Sequence, residues 1–136
     1  MDVRTGGCNC GAVRFTAEGD LRPVIYCHCS QCRRQTGHYY ACTNLPAAKL
    51  SIEGEDEITW YAASPQGRRG FCRHCGSALF WREIGADDIS VMAGVFDGAP
   101  GLVGGSHIFV ADKGDYYEID DGLPDFAAWP PAGEPS

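Results

Sequence analysis

The feature that most constrains this chain is a run of three cysteines within six residues, Cys27, Cys29 and Cys32, spaced as C-x-C-x-x-C. Such short spacings direct thiols toward one metal ion, and a structural zinc ion in a protein usually has four tetrahedral ligands. A catalytic zinc ion instead has three protein ligands and keeps one position open. The fold must therefore bring three thiols together and either supply a fourth ligand or leave a position open.

The other five cysteines lie at three places in the chain. Cys8 and Cys10 form a C-x-C pair, Cys72 and Cys75 form a C-x-x-C pair, and Cys42 stands alone. Two short-spaced pairs are the usual way to build a closed zinc site with four cysteine ligands, so the pairs predict a structural zinc that ties the N-terminus to the middle of the chain. Cys42 then remains as a possible fourth ligand beside Cys27, Cys29 and Cys32.

Eight cysteines would also suit a disulfide framework in a secreted chain. The N-terminus lacks the apolar segment of a signal peptide, and no apolar run approaches the roughly 20 residues of a membrane span. We therefore expect a cytoplasmic protein, in which clustered cysteines more often bind metal than form disulfides. A redox role for Cys72 and Cys75 is disfavoured because the βαβ pattern of thioredoxin-like motifs is missing.

The spacing also indicates which side chains share a face. Cys27 and Cys29 are two residues apart in an extended stretch, so they face the same side and His28 faces the other. Cys32 lies on the turn that follows and can fold back to join them. Cys42 could close the site, but free cysteine usually behaves as a small buried residue, which is the alternative favoured here. A centre without Cys42 has three thiols and one open position.

Short alternating segments punctuated by glycine and proline predict an all-β domain with at most short helical turns. A short N-terminal strand is expected to end at the glycine-rich turn 6–11, and an acidic turn at 53–57 is expected to join two strands as a hairpin. Further strands are predicted at 12–18, 23–27, 38–42, 49–52, 58–61, 77–81, 89–93 and 106–110.

One short helix is predicted at residues 30–35, with Ser30 as its N-cap and Gly37 as its end. We expect a single domain over residues 1–136, with a zinc-binding core at about 6–126 and a tail at 127–136. Nothing in the sequence indicates an internal repeat or a linker between domains.

The charge distribution bears on the partners. The formal net charge is −7, with ten Lys and Arg against seven acidic residues in 1–82 and one Lys against eleven acidic residues in 83–136. The net acidity and the absence of a basic stripe disfavour nucleic acid as a partner. Five arginines adjoin the cysteine motifs and could offset thiolate charge: Arg33, Arg34, Arg68, Arg69 and Arg73.

Three segments carry a family resemblance: GCNCGAVRF at 7–15, CHCSQCRRQTG at 27–37 and FCRHCGS at 71–77. Together they resemble the signatures of the glutathione-dependent formaldehyde-activating enzyme family, also called the centromere protein V family. The segments SHIF at 106–109 and YYEI at 116–119 are similar to that family's C-terminal region. The resemblance spans roughly residues 6–126.

The resemblance implies an Mss4-like all-β fold of several short antiparallel sheets around a structural zinc, with a second zinc at the active site. It further implies a carbon-sulfur lyase, similar to S-hydroxymethylglutathione synthase, that joins glutathione to formaldehyde. By resemblance, the structural zinc is held by Cys8, Cys10, Cys72 and Cys75, and the active-site zinc by Cys27, Cys29 and Cys32.

The residue chemistry agrees with a thiol substrate. Three thiolates and one Zn²⁺ carry a formal charge of −1, which weakens Lewis acidity and favours a soft fourth ligand such as a thiolate. We therefore expect a small thiol to add to a small aldehyde, with Arg33 and Arg34 as candidates to bind the thiol's carboxylates. His28 and His107 are candidates for proton transfer. The alternative is a non-catalytic zinc-stabilised binding module for a thiol metabolite or a protein partner, which closure of the site by Cys42 would favour.

Overall fold

The computed structural model describes residues 2–131, which form two β-sheets and one short helix. The all-β prediction is confirmed. The strands are β1 (Val3–Gly7), β2 (Arg14–Glu18), β3 (Val24–Cys27), β4 (Tyr40–Pro46), β5 (Leu50–Glu53), β6 (Ile58–Ala62), β7 (Gly67–Cys72), β8 (Ala78–Glu83), β9 (Asp88–Met92) and β10 (Gly104–Ile108), and the helix is α1 (Ser30–Thr36). The smaller sheet has the order β1-β2-β5, and the larger has the order β10-β3-β4-β9-β8-β7-β6.

The larger sheet brings distant parts of the chain next to the motif that contains Cys27, Cys29 and Cys32. β3 lies between β10, which runs parallel to it, and β4, which runs antiparallel. Cys27, the last residue of β3, is thus opposite Ile108 on one side and Tyr40 on the other. Cys42 lies two residues along β4, opposite Ile25.

The predicted hairpin across the acidic turn is wrong. β5 pairs with β2 and β6 pairs with β7, so the two strands belong to different sheets. The chain crosses between the sheets through Gly54 and a 3-10 turn at Glu55–Glu57. Gly54 has φ of 84°, and a Cβ at this position would lie 2.1 Å from the Ala12 carbonyl oxygen. Alternation of side chains identifies strands but not their partners, which is why sequence neighbours were paired incorrectly.

The N-cap of the short helix lies one residue earlier than predicted. Its N-cap is Cys29, whose sulfur accepts a hydrogen bond from the Cys32 backbone N–H at 3.3 Å, so the assignment of Ser30 is corrected. The helix ends at Gly37 as predicted, with φ of 81° and its N–H donating to the Arg33 carbonyl. The cap therefore links two cysteines of the same motif.

The main core lies between the two sheets. Phe15 of β2 makes edge-to-face contacts with Phe80 of β8 and with Phe96, at centroid distances of 5.8 and 5.2 Å. Cys8 and Cys72 are part of this core. A second, smaller core consists of Cys32, Tyr40 and Cys42, against which Cys27, Cys29, Trp81 and Met92 pack.

The C-terminal segment follows the end of β10. Backbone hydrogen bonds of 2.9–3.2 Å join residues 107–111 to residues 124–128, and Trp129 contacts Phe109 edge-to-face at 5.1 Å. Of the predicted tail at 127–136, residues 132–136 lie outside the described part of the chain. Within residues 2–131, no helix is long and apolar enough to cross a membrane.

Candidate functional site

The structure brings together the two cysteine pairs from the N-terminus and the middle of the chain. The sulfurs of Cys8, Cys10, Cys72 and Cys75 all lie within 4.8 Å of one another. The distance from the Cys10 sulfur is 3.6 Å to the Cys8 sulfur and 3.7 Å to the Cys72 sulfur. Zn–S bonds of about 2.3 Å in a tetrahedron place sulfurs about 3.8 Å apart, so the four thiols fit a zinc ion.

Turns at the ends of β1 and β7 build this four-thiol cluster. The backbone N–H of Val13 donates to the Cys8 sulfur at 3.3 Å, and that of His74 donates to the Cys72 sulfur at 3.4 Å. Hydrogen bonds from backbone N–H groups stabilise the charged form of a thiol. Cys72 is fully buried, so the cluster fixes the junction between the two sheets.

The second cluster consists of Cys27, Cys29 and Cys32, whose sulfurs also lie within 4.8 Å of one another. No fourth Cys, His, Asp or Glu of residues 2–131 joins it. Hydrogen bonds from the thiols of Cys27 and Cys32 lower the pKa of Cys29 to about 2, and the bond to Cys29 raises the pKa of Cys27 well above its usual value. The three thiols therefore interact strongly, and among them Cys29 is the one whose charged form is most stabilised.

Cys42 is not a member of the three-thiol cluster, although it belongs to the same small core as Cys32. It is buried in β4, where burial raises the pKa of its thiol. Its sulfur lies 3.7 Å from Nη2 of Arg22, whose same nitrogen donates to the Cys42 carbonyl at 3.2 Å. This position is that of a buried strand residue, and the second cluster keeps three thiols.

A cavity of about 460 Å³ opens beside the three-thiol cluster. Its volume falls in the range of about 300–1,000 Å³ that is typical of small-molecule sites. None of the four-thiol residues lines it. Its walls include all three cysteines of the second cluster, two arginines and four aromatic residues: Cys27, Cys29, Cys32, Arg22, Arg69, Tyr40, Trp81, Phe109 and Trp129.

Arg69 is the charged residue in closest contact with this cluster. Its Nη2 donates to the Cys32 sulfur at 3.3 Å, its Nη1 donates to Gln35 Oε1 at 2.9 Å, and its guanidinium lies 5.3 Å from the centroid of the Tyr40 ring. The side chain is only 5% exposed. In the sequence, Arg69 is one of five arginines that adjoin the cysteine motifs, and no local signal distinguishes it from the other four.

Arg33 and Arg34 do not line the cavity. Arg33 Nε donates to the Asp112 carbonyl at 2.9 Å, and Arg34 is not among the buried residues. Their proposed contact with the carboxylates of a thiol stays a prediction. The arginines that do line the cavity are Arg22 and Arg69.

His28 and His107 belong to a hydrogen-bonded chain that does not line the cavity. His28 Nδ1 lies 2.5 Å from the Tyr117 hydroxyl, and His28 Nε2 lies 2.8 Å from His107 Nδ1. His107 Nε2 in turn lies 2.8 Å from Asp121 Oδ2. Burial lowers the pKa of His28 to about 4, so this ring is neutral near pH 7. Both histidines are buried and have both ring nitrogens engaged, and their part in proton transfer stays a prediction.

Phe109 lines the cavity and directly follows β10, where the chain continues toward the C-terminal segment. Phe109 has φ of 55° and is the one non-glycine residue with positive φ within residues 2–131. Such strained conformations cost about 1–3 kcal/mol and tend to occur at functional sites. Phe109 was noted only as part of the family-like segment 106–109, and neither Phe109 nor Trp129 was predicted to line a site, because neither belongs to a cysteine motif.

An all-β chain with a four-thiol cluster between its sheets and a three-thiol cluster beside a cavity belongs to the class of cysteine-rich β proteins whose thiol clusters could hold metal ions. The comparisons with known proteins then define the family. The family described as glutathione-dependent formaldehyde-activating enzyme matches residues 3–112. The chain belongs to the glutathione-dependent formaldehyde-activating enzyme family, which confirms the resemblance. The link to centromere protein V is not part of these matches and stays a prediction.

Individual relatives agree with this family. One, from Halomonas elongata, has a name that provisionally assigns it as a glutathione-dependent formaldehyde-activating enzyme, and it is 31% identical over 92% of this chain and 87% of its own. An uncharacterized lyase of Schizosaccharomyces pombe is 26% identical over 88% of this chain and 87% of its own. The crystal structure of a Rhodobacter sphaeroides protein is similar with a TM-score of 0.58 and 25% identity, over 74% of this chain and 97% of that one.

Proposed function

We propose that this chain is a zinc-dependent carbon-sulfur lyase that adds a thiol, glutathione or a similar one, to formaldehyde or another small aldehyde. The observation that carries the proposal is the three-thiol cluster, which has no fourth ligand within residues 2–131 and lines a cavity of about 460 Å³. Membership of the family and the names of the two relatives support the enzyme class.

The donor sets fit two zinc ions per chain. Thiolates are soft ligands that select zinc, and both clusters hold their sulfurs within 4.8 Å of one another. Cys27, Cys29 and Cys32 would hold the catalytic ion, and the four-thiol cluster would hold the structural one. The chemistry that a bound zinc ion supplies at an open thiol-rich site is stabilisation of a substrate thiol as its thiolate near neutral pH.

The surrounding residues provide a site for the reacting groups. During the addition, the substrate thiol loses its proton to water and its sulfur forms a bond to the carbonyl carbon. The C=O electron pair moves to the oxygen, which then takes a proton from water. Four charged residues line the cavity: Arg22, Arg69, Glu83 and Asp88. The two arginines are the groups that would stabilise the negative charge that develops on the oxygen and attract a carboxylate of the thiol.

The proposal is tested by mixing glutathione and formaldehyde and following the exchange between free and adduct forms by NMR. The wild-type protein is expected to accelerate the exchange, and Cys29→Ser is expected to reduce the acceleration by at least about 100-fold, as for loss of a group essential to a catalytic centre. Acceleration that is unchanged in Cys29→Ser would show that the three-thiol cluster is not the catalytic centre.

Cys42→Ser tests the alternative of a closed, non-catalytic zinc module. Cys42 is excluded from the three-thiol cluster, so the variant is expected to keep its second zinc ion. Loss of that ion in Cys42→Ser would show that Cys42 is the fourth ligand, and would favour a binding module without turnover.

A further inference from the structure

Arg69 is a buried positive charge without a carboxylate partner. Its side chain is 5% exposed, and within residues 2–131 no carboxylate oxygen lies within 4.0 Å of it. A buried charge is strongly disfavoured unless another charge or several hydrogen bonds compensate it. The anionic group available to Arg69 is the thiol cluster, since its Nη2 lies 3.3 Å from the Cys32 sulfur.

The guanidinium is held in place from two further directions. Gln31 and Gln35 are one helical turn apart on α1 and direct their Oε1 atoms at it, at 3.4 Å from Nη2 and 2.9 Å from Nη1. The ring of Tyr40 lies against it at 5.3 Å, a cation–π distance. The same short helix that carries Cys32 thus also orients the cation that contacts the Cys32 sulfur.

The surroundings of the four-thiol cluster differ in this respect. The arginine beside it, Arg73, is more than half exposed and donates to the Glu57 carboxylate at 2.7 Å instead of to a sulfur. In the four-thiol cluster, the sulfurs of Cys8 and Cys72 accept hydrogen bonds from backbone N–H groups. A buried arginine in contact with sulfur is therefore specific to the cluster that lacks a fourth thiol.

We propose that Arg69 is a positioning residue for the three-thiol centre: it donates to the Cys32 sulfur and neutralises the charge that the centre carries when metal-bound. Three thiolates and one divalent ion have a net charge of −1, and one guanidinium brings the sum to zero. The centre can then retain its metal with only three protein ligands. This inference rests on the proposed function, because it requires that Cys27, Cys29 and Cys32 bind a metal.

The test measures the zinc dissociation constants of the intact protein by competition with a chromophoric chelator. Removing a hydrogen-bonding partner of a metal ligand typically weakens metal binding by about 10–100-fold. Arg69→Gln is expected to lose this much affinity for the second zinc equivalent, which is the ion bound at the three-thiol cluster. The first equivalent, at the four-thiol cluster, is expected to be unchanged and so reports that the variant is folded.

Arg68→Gln is the matched control. Arg68 is the neighbouring residue of β7, and its Nη1 donates to the carbonyls of Ser64 and Gly67 at 2.9 and 3.0 Å, not to a sulfur. Its replacement is expected to change the second dissociation constant by less than about twofold, as for a surface substitution of small effect.

The outcomes separate the two proposals. If Arg69→Gln and Arg68→Gln bind zinc at the three-thiol cluster with the same dissociation constant, the role of Arg69 is overturned and the metal centre stands. A wild-type protein that binds one zinc equivalent overturns the metal centre, and the role of Arg69 with it. If Arg69→Gln does not fold, Arg69→Lys decides: its ammonium cannot form the guanidinium's fork of hydrogen bonds, so at least about threefold weaker binding is expected and wild-type affinity contradicts the proposal.

Discussion

The two cysteine clusters use the same ligand type in different surroundings. Two members of the four-thiol cluster, Cys8 and Cys72, lie in the main core between the sheets, and backbone N–H groups donate to their sulfurs. The three-thiol cluster lies between β3 and α1, beside a cavity of about 460 Å³ and against a buried arginine. A cavity of about 540 Å³ also lies beside Cys8, and Cys10 is exposed, so space for a ligand does not by itself separate the two clusters. What distinguishes the three-thiol cluster is that all three of its cysteines line a cavity and that a buried arginine contacts one of its sulfurs. These differences support the proposal that the four-thiol cluster has a structural role and the three-thiol cluster a chemical one.

The largest expected effect is on stability, at the four-thiol cluster. Cys72 is fully buried and joins the two sheets, so Cys72→Ser should remove the metal and most of the stability. A loss on the order of 5 kcal/mol is expected, because structural zinc contributes directly to folding, and this is comparable to the whole stability of many domains. Chemical denaturation followed by circular dichroism measures it.

Cys29→Ser is the matched control for that experiment, since it makes the same change in the other cluster. Its expected loss of unfolding free energy is about 1–2 kcal/mol, within the range of ordinary substitutions. Equal losses in the two variants would contradict the division into a structural and a chemical cluster.

A smaller effect, dependent on pH, is expected from the histidines inside the two motifs. His28 is buried between Cys27 and Cys29, whereas His74, between Cys72 and Cys75, is exposed. Burial lowers the pKa of His28 to about 4, so the unfolded chain binds this proton more readily than the folded chain. Its contribution to stability is therefore complete above about pH 6.5 and is lost progressively as the pH falls toward 4, by about 1.4 kcal/mol per pH unit.

His28→Gln should reduce the unfolding free energy at pH 7 by about 1–3 kcal/mol, because it breaks the hydrogen bonds to His107 and Tyr117. Between about pH 6.5 and 5, the difference between wild type and variant should shrink by about 2 kcal/mol, because only the wild type has this histidine to protonate. His74→Gln should change stability by no more than about 0.5 kcal/mol. A constant difference between His28→Gln and wild type over this pH range would contradict the buried, neutral state of His28.

The smallest effect is expected at Arg34, which is not buried and does not line the cavity. Arg34→Ala should change the KM for glutathione by less than about twofold. Arg22→Ala should raise it by about tenfold, the equivalent of about 1.4 kcal/mol for one lost charge-assisted hydrogen bond. A larger increase in Arg34→Ala than in Arg22→Ala would support the sequence-based prediction and move the thiol's carboxylates outside the cavity.

The sequence predicted the features that depend on local spacing. The C-x-C and C-x-x-C motifs were assigned to two separate groups, and the structure places their sulfurs in those two groups. Gly37 was predicted to end the short helix, and it does so with the positive φ that glycine readily adopts. His28 was predicted to face away from the neighbouring cysteines, and it contacts His107 and Tyr117 instead.

Features that depend on the pairing of distant segments could not be predicted in this way. Arg68 and Arg69 are adjacent and chemically alike, and only the register of β7 against β8 determines which of them contacts the Cys32 sulfur. Likewise, His28 and His107 are 79 residues apart and meet because β10 pairs with β3 in parallel. The partner of β5 was missed for the same reason.

The most direct test of the central claim is a titration of the metal-free protein with Co²⁺, followed by absorption spectroscopy with and without glutathione. We expect two equivalents of bound Co²⁺, of which Cys29→Ser loses the one at the three-thiol cluster. Glutathione should alter the spectrum of that one and leave the spectrum of the other unchanged. A single bound equivalent, or two whose spectra are both insensitive to glutathione, would contradict an open three-thiol centre that receives a substrate thiol.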